Sequence, residues 1–405
     1  VADNDTSSTV NFSVAEHFLG MDKLVHQQAA SAPLESGCKV NVKAVPWDKL
    51  WSYLQEVAKK SGLEDFSEVG TTWTGHFIDK GKLHELTPAD IVTLGGKERF
   101  LSSVRRSTML IDDKRAFAVP WLADTRVIYY WRDDLKKADV DEIGAFVTPE
   151  KMNETLAKLH EIGKPAWGAP TFQVNNTLHQ IASWIWSKGG DFLDEKGGRT
   201  ALLDPSALKG ICQYFELYRY MPCDFDSLDA ILDAFENHQT SVIINGPWYL
   251  MRLILGGATD DVLGNLGVAL TPGPPFVGGS NLVIWNTASP SNKEAALTII
   301  KHLTSPTQQK EISKRTGLLS VLEEVLSDAP YSTDSHYRVF AAALKLGKPF
   351  PTIPYWGSLE EHLLKAFGAV WEDLKARSDC DSVEDIVVCR LEPVVKRFDR
   401  LLRLV

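Results

Sequence analysis

Apolar and polar residues alternate, or run together, in two short stretches near the start of the chain. TVNFSV (Thr9–Val14) and KVNVKAV (Lys39–Val45) both predict β-strands. The pattern over Met21–Ser31 between them predicts a helix. In WDKLWSYLQEVAKK the apolar positions Trp47, Leu50, Trp51, Leu54 and Val57 recur at helical spacing. FSEVGT then predicts a third strand leading to Trp73. This β-α-β-α-β order predicts an α/β domain with a mainly parallel sheet, whose ligands bind beyond the carboxyl ends of the strands. RAFAVPW (Arg115–Trp121) and DTRVIYYW (Asp124–Trp131) follow as two strand-like runs separated only by Leu122-Ala123. A chain that goes from strand to strand, with neither a hairpin nor a crossover helix, predicts a passage between domains.

The region beyond is rich in helix. TLHQIASWIWSKGG ends in Gly189-Gly190, a helix stop, and ALKGICQYFELYRY and LDAILDAFENH are helical. SVIIN is a strand ending at Asn245-Gly246, after which Pro247 opens a helix. NLGVALTP and NLVIWN predict strands on either side of the Gly/Pro-rich TPGPPFVGGSN, and KEAALTIIKHLT predicts a helix. RTGLLSV breaks the helical run, and three helical segments finish the chain, the last from Val383 to Leu402.

Composition narrows the function classes. A chain of 405 residues exceeds one ordinary core, so two domains are expected. A net charge of −10, with no basic run longer than Arg105-Arg106, argues against a nucleic-acid surface. No stretch has enough apolar residues in a row to span a bilayer. The amino terminus, VADNDTSSTV, lacks the basic start and apolar segment of a signal peptide. That leaves a cytosolic protein or a mature chain whose leader has gone. Five cysteines form no C-x-x-C pair, which argues against zinc. Cys212 with Cys223 and Cys380 with Cys389 are spaced either for local disulfides or as buried free thiols, with Cys38 left over. Glycine-rich nucleotide loops, the G-x-S-x-G elbow and H-E-x-x-H are absent, so neither cofactor nor metal is expected. The pairs Asp112-Asp113, Asp133-Asp134 and Glu360-Glu361 read as solvated surface.

Twelve tryptophans change the picture further. Trp73 in GTTWTGHF, Trp121 in VPWLADTR, Trp248 in NGPWYL and Trp356 in IPYWGSLE sit beside Gly, Pro, Thr or Asn. Flat apolar rings held on turns suit ligands with flat C–H faces, as pyranose sugars have. Trp121 reads instead as packing at the passage between domains.

Four stretches taken together, EVGTTWTGHFIDKGKLHELT, AFAVPWLADTRVIYYWRDDL, HQTSVIINGPWYL and KHLTSPTQQKEISKRTGLLSV, make the chain resemble the solute-binding proteins of bacterial ABC importers, in the maltose-binding-like, carbohydrate-binding branch. The likeness runs from about Thr9 to about Leu374. It implies an α/β, two-lobed periplasmic-binding-protein fold of type II, with three hinge crossings and a ligand cleft between the lobes. The crossings would fall near Val119-Pro120, Val268 and Thr316. The N-terminal lobe would then be 1–119 and 268–316, and the C-terminal lobe 120–267 and 317–405. The first strand leads into AEHFLG, which lacks the aromatic-rich form of relatives, and TGLLSV lacks their proline.

The resemblance also implies site residues. Trp248 would stack on a sugar ring, and Asp124 would accept hydrogen bonds from sugar hydroxyls. Trp356 would form a second aromatic wall. Thr71, Thr72 and Trp73 would supply the N-lobe side of the cleft, and Gly279 and Asn281 a backbone approach, with Ser280 between them. Asn175 and Glu16 complete the set. Each has a structural alternative: Trp248 as a core cap, Asp124 as a partner of Arg126, and Asn175 or Asn176 as the cap of a helix beginning near Thr177. The implied function is capture of a neutral mono- or oligosaccharide outside the cytoplasmic membrane by a monomer that closes about its hinges and presents its ligand to an ABC permease. A lipid anchor is left open. The alternatives are a binding protein for a polyol or glycerol phosphate, and a Trp-rich glycoside hydrolase.

Overall fold

The two alternating stretches at the start of the chain become β1 (Thr9–Ala15) and β2 (Lys39–Val45), paired in parallel along their whole length from Thr9 opposite Lys39 to Ala15 opposite Val45. The computed structural model describes residues 9–111, 114–376 and 382–402. The polar stretch 1–8, the Asp112-Asp113 pair and Cys380 lie outside the described residues. Helix α1 (Met21–Ala30) connects β1 to β2, and α2 (Trp47–Lys59) connects β2 to β3 (Phe66–Gly70). Pro46 precedes α2, where its fixed φ and missing N–H cost nothing. One face of α2 buries Leu50, Leu54 and Val57. The remaining strands are β4 (Val119–Thr125), β5 (Val127–Trp131), β6 (Trp167–Gly168), β7 (Val242–Asn245), β8 (Leu266–Leu270), β9 (Val277–Ile284) and β10 (Leu319–Ser320).

The chain folds as two units. The first comprises Val1–Asp124, Gly278–Ser332 and Thr352–Trp356; the second comprises Thr125–Val277, Thr333–Pro351 and Gly357–Val405. The chain passes between them at residues 124/125, 277/278, 332/333, 351/352 and 356/357. These passages lie later in the chain than the expected crossings, and strand pairing gives the reason. Leu122 and Ala123 pair with Ser320 and Leu319, which holds both segments in the first unit. Val268 pairs with Tyr129 inside the second.

The sheet of the first unit runs β10-β4-β9-β3-β1-β2. Phe12 on β1 lies opposite Phe66 on β3, their rings stacked at 4.1 Å. Next to them Ser13 donates to Ser67 at 2.9 Å, and the Trp285 indole donates to the same Ser67 hydroxyl at 2.8 Å. The mainly parallel expectation holds for β1, β2 and β3, whereas β9 runs antiparallel to β3 and β10 antiparallel to β4. Two boundaries differ from the sequence pattern. The break between β4 and β5 falls at Arg126, not at Leu122-Ala123, and β9 begins within the Gly/Pro-rich tract at Val277.

The second unit carries a four-stranded sheet, β6-β7-β5-β8, with β5 antiparallel to both neighbours. Asp134, read from sequence as solvated, is fully buried: Lys164 lies 2.8 Å from it and Ser241 donates to it at 2.9 Å. Cys212 and Cys223 are free thiols, so the disulfide option for that pair falls away. Burial pushes the Cys212 thiol up to about 12. The helices Asn175–Ser187 and Pro205–Phe215 approach closely at Gly210, where an added Cβ would lie 2.5 Å from the carbonyl oxygen of Trp184.

That contact leaves no room for a methyl group. Gly210→Ala is expected to lower stability by about 1–3 kcal/mol, the usual cost of overpacking, read as a fall in thermal midpoint. An unchanged midpoint would show that the two helices separate freely.

Candidate functional site

Because β1, β2 and β3 are mutually parallel, their carboxyl ends share one edge of the first unit's sheet. In α/β sheets that edge is where ligands bind. The segments leaving it are Glu16-His17, Pro46-Trp47 and Thr71-Thr72-Trp73. Trp47 and Trp73 stack at 5.1 Å with planes 24° apart, and Trp73 leans on Trp51 at 5.4 Å. Trp51 in turn packs on Phe77, and Phe77 edge-on against the buried Trp285. The rings are thus stacked outward from the core, and the outermost, Trp47, is 46% exposed. Gly70 lies close beneath the stack, where a Cβ would press on the Trp73 ring at 3.2 Å.

Beside the rings lies a buried charge. The Glu68 carboxylate is fully buried and accepts the Ala15 amide at 2.6 Å, while His17 Nε2 lies 2.9 Å from its other oxygen. Burial pulls the His17 pKa down. The Glu68 charge and hydrogen bond, with the Asp124 charge behind them, outweigh it and leave His17 above the usual histidine value. A carboxylate buried this way is tolerable because donors meet both its oxygens.

The structure brings part of the expected set together. Thr71, Thr72 and Trp73 are half-buried on the loop after β3, Glu16 is exposed after β1, and Asp124 ends the first unit close enough to act on His17. Gly279 also belongs here. Its φ is +113°, its carbonyl accepts the Thr71 amide at 3.1 Å, and a Cβ would lie 2.1 Å from the Leu122 carbonyl oxygen. Two expected residues are buried. Asn281 is fully buried, and its amide donates to Thr74 and to Ser107 at 3.1 Å, so its side chain joins elements instead of reaching outward. Trp356 begins the helix Trp356–Ala376 and is 1% exposed. Trp121 is likewise fully buried, as its packing role requires.

In the second unit, Trp248 opens the helix Trp248–Leu255 directly after β7 and is half-buried. The corner before it is pinned. Gly246 N donates to the Asn245 side chain at 2.8 Å, and Tyr129 donates to the Gly246 carbonyl at 2.9 Å. Asn175 is exposed and is the first residue of its helix. The cap position is Val174, with no side-chain cap, so neither Asn175 nor Asn176 caps that helix. Asn175 Nδ2 lies 3.4 Å from Glu360. Asp133, Asp134 and His238 bring metal-ligand atoms within 4.8 Å of one another. Lys137 at 3.0 Å and Asn265 at 2.9 Å already engage Asp133, and Lys164 neutralises Asp134, so the cluster reads as structural.

Sequence reasoning missed Trp47 and Glu68. Trp47 follows Pro46 at a strand-to-helix corner, the same signature that singled out Trp248, so it was findable. A lone Glu inside a strand carries no such signal.

The model of the bacterial extracellular solute-binding protein family matches residues 29–339. A relative from Brucella abortus (strain 2308), named as a binding protein, is 22% identical over 98% of this chain and 96% of its own. Among solved structures, the sugar-binding protein MalE of Xanthomonas citri superposes with a TM-score of 0.83 at 20% identity, covering 98% of this chain and 97% of that one. An ABC-transporter solute-binding protein from Agrobacterium radiobacter K84, solved with ribitol, gives 0.73 at 19% identity over 96% and 99%. These likenesses give the fold, the two-lobed periplasmic-binding-protein fold of type II.

The raised His17 pKa fixes the sign of a pH effect. The contribution of the pair to stability is full below about pH 6.5, the unfolded value, and is lost as pH rises through the higher folded value. An NMR titration is expected to place His17 above 6.5 in the native chain and to show a clear fall in Glu68→Gln. No change in that variant would remove Glu68 as the cause.

Proposed function

We propose, for a chain that belongs to the bacterial extracellular solute-binding proteins, that it captures a neutral pyranose sugar or short oligosaccharide outside the cytoplasmic membrane and delivers it to the permease of an ABC importer. The observation that carries this reading is the stacked Trp47–Trp73 pair at the carboxyl edge of the parallel strands. Its exposed ring offers a flat apolar surface to the C–H face of a sugar. The Thr71 and Thr72 hydroxyls, Asp124 and Glu16 supply hydrogen-bond partners for hydroxyl groups beside it. Trp248, at its pinned corner in the second unit, and Asn175 are proposed as that unit's contribution. The protein acts as a monomer, without metal or cofactor.

Charge favours a neutral ligand. The Glu68 and Asp124 charges both act on His17, whose ring lies 6.1 Å from Trp47, so acidic groups stand on this side of the ring pair, a setting that disfavours a phosphate. The sugar-binding relative from Xanthomonas citri supports the carbohydrate class. The ribitol-bound relative supports a second reading, an acyclic polyol, which would cover less of a flat indole. A glycoside hydrolase would consume its glycan, whereas the proposed protein returns it unchanged after long incubation. No helix among the described residues is long and apolar enough to cross a membrane.

A ligand that binds only the folded chain raises its thermal midpoint by mass action. A thermal-shift screen across ring sugars of graded length, ribitol and glycerol phosphate is expected to give its largest shift with a ring sugar. Trp47→Ala, Trp73→Ala and Trp248→Ala should each weaken that ligand about tenfold or more, the scale of truncating an aromatic anchor. A shift with glycerol phosphate and none with any sugar would overturn the reading. A preference for ribitol that survives all three substitutions would transfer it to the polyol.

A further inference from the structure

The first unit contains a cavity of about 440 Å³ that none of the proposed sugar-binding residues lines. Its volume falls within the range of small-molecule pockets, about 300–1,000 Å³. The walls come from the helix Pro88–Thr93, the turn Lys97–Arg99, the helix Ser102–Arg105 and the start of β4. Leu86, Leu94, Phe100 and Val119 are buried and give it an apolar lining, with Met109 half-buried among them.

Among the described residues, its charged lining is all of one sign: Lys97, Arg105, Arg106 and Lys114. Lys97, Arg106 and Lys114 are exposed, and among the described residues no acidic side chain forms an ion pair with them. Arg105 has Glu98 at 3.6 Å, a long and largely exposed pairing. Its Nε is buried without a hydrogen-bond partner, which is uncommon for a buried donor. The chain as a whole carries −10, so this local excess of cations runs against the net charge of the molecule.

We propose that this cavity binds an amphiphilic anion, an apolar tail carrying a carboxylate or phosphate head. The two halves of the site work together. Exposed cations alone hold an anion weakly in water, and an apolar cavity alone does not choose between head groups. Burying the tail against Leu94, Phe100 and Val119 holds the head among Lys97, Arg105 and Arg106. A hydrophilic anion gains no burial, and a cationic amphiphile meets like charge.

Titration of the full chain with 8-anilino-1-naphthalenesulfonate, followed by fluorescence, tests this directly. The expected result is saturable one-to-one binding, displaced by decanoate and decyl phosphate but not by decanol or decyltrimethylammonium. Lys97→Glu with Arg106→Glu should weaken binding at least tenfold, and Ala116→Trp, which fills the cavity, should do the same. Should the tryptophan variant fail to fold, the charge reversal at two exposed positions still decides. Unchanged affinity after charge reversal, or equal displacement by the cationic amphiphile, would overturn the proposal. Co-sedimentation with phosphatidylglycerol vesicles, lost in the charge-reversal variant and absent with phosphatidylcholine, assigns a lipid headgroup. Decanoate binding without vesicle binding assigns a free amphiphile, and binding of neither overturns the site. The sugar-induced thermal shift should persist in the charge-reversal variant, which separates this test from that of the transport reading.

Discussion

Nothing larger than a hydrogen atom fits on the α-carbon of Gly279, because the Leu122 carbonyl oxygen already occupies that space. Much of the first unit follows from this one approach. It lets β9 lie between β3 and β4, and it allows the backbone at residue 279 a left-handed φ that other residues rarely adopt. The same glycine's carbonyl takes the Thr71 amide and sets the start of the loop that presents Trp73. Two residues further along the strand, Asn281 ties that strand to Thr74 and Ser107. The site's loop is therefore held from beneath by a strand that contributes no side chain to it.

The aromatic pair and the buried charge are held by different physics. Trp47 and Trp73 are built outward from packed rings, so their position depends on the volumes of Trp51, Phe77 and Trp285. Glu68 is held by donors, the Ala15 amide and the His17 ring, in a place where an unpaired carboxylate would be very costly. Together they give an apolar face with polar groups at its margin, the combination that a ligand with both C–H faces and hydroxyls requires.

The parallel strands and their connecting helices were legible because alternation and helical spacing are read locally, and β1, α1, β2, α2 and β3 are local in sequence. What failed was non-local. Leu122-Ala123 looked like a gap, yet those residues are strand because Leu319 and Ser320 pair with them from far along the chain. The tract after Val277 looked like loop, yet it is strand because it pairs with β3, and at Gly279 the Leu122 carbonyl needs the space of a missing side chain. In the site, Trp73 and Trp248 were legible from their turns. Trp356 shows that a turn does not guarantee exposure, since it follows Pro354-Tyr355 and is nonetheless enclosed. Trp47 shows the converse, an apolar-stripe position whose ring faces outward because it stands in the first turn of its helix.

The place of β9 in the chain sets the order in which the molecule can be completed as it is made. The strands β1, β2, β3 and β4 are complete by residue 125, but β9, which separates β3 from β4, begins only at Val277. The whole of segment 125–277, the largest part of the second unit, is therefore synthesised while β3 still presents an unpaired edge. Such an edge is an open template for the wrong strand. A chain built on this plan cannot finish its first half first, and it must be kept from false pairing until the strand that closes its sheet arrives.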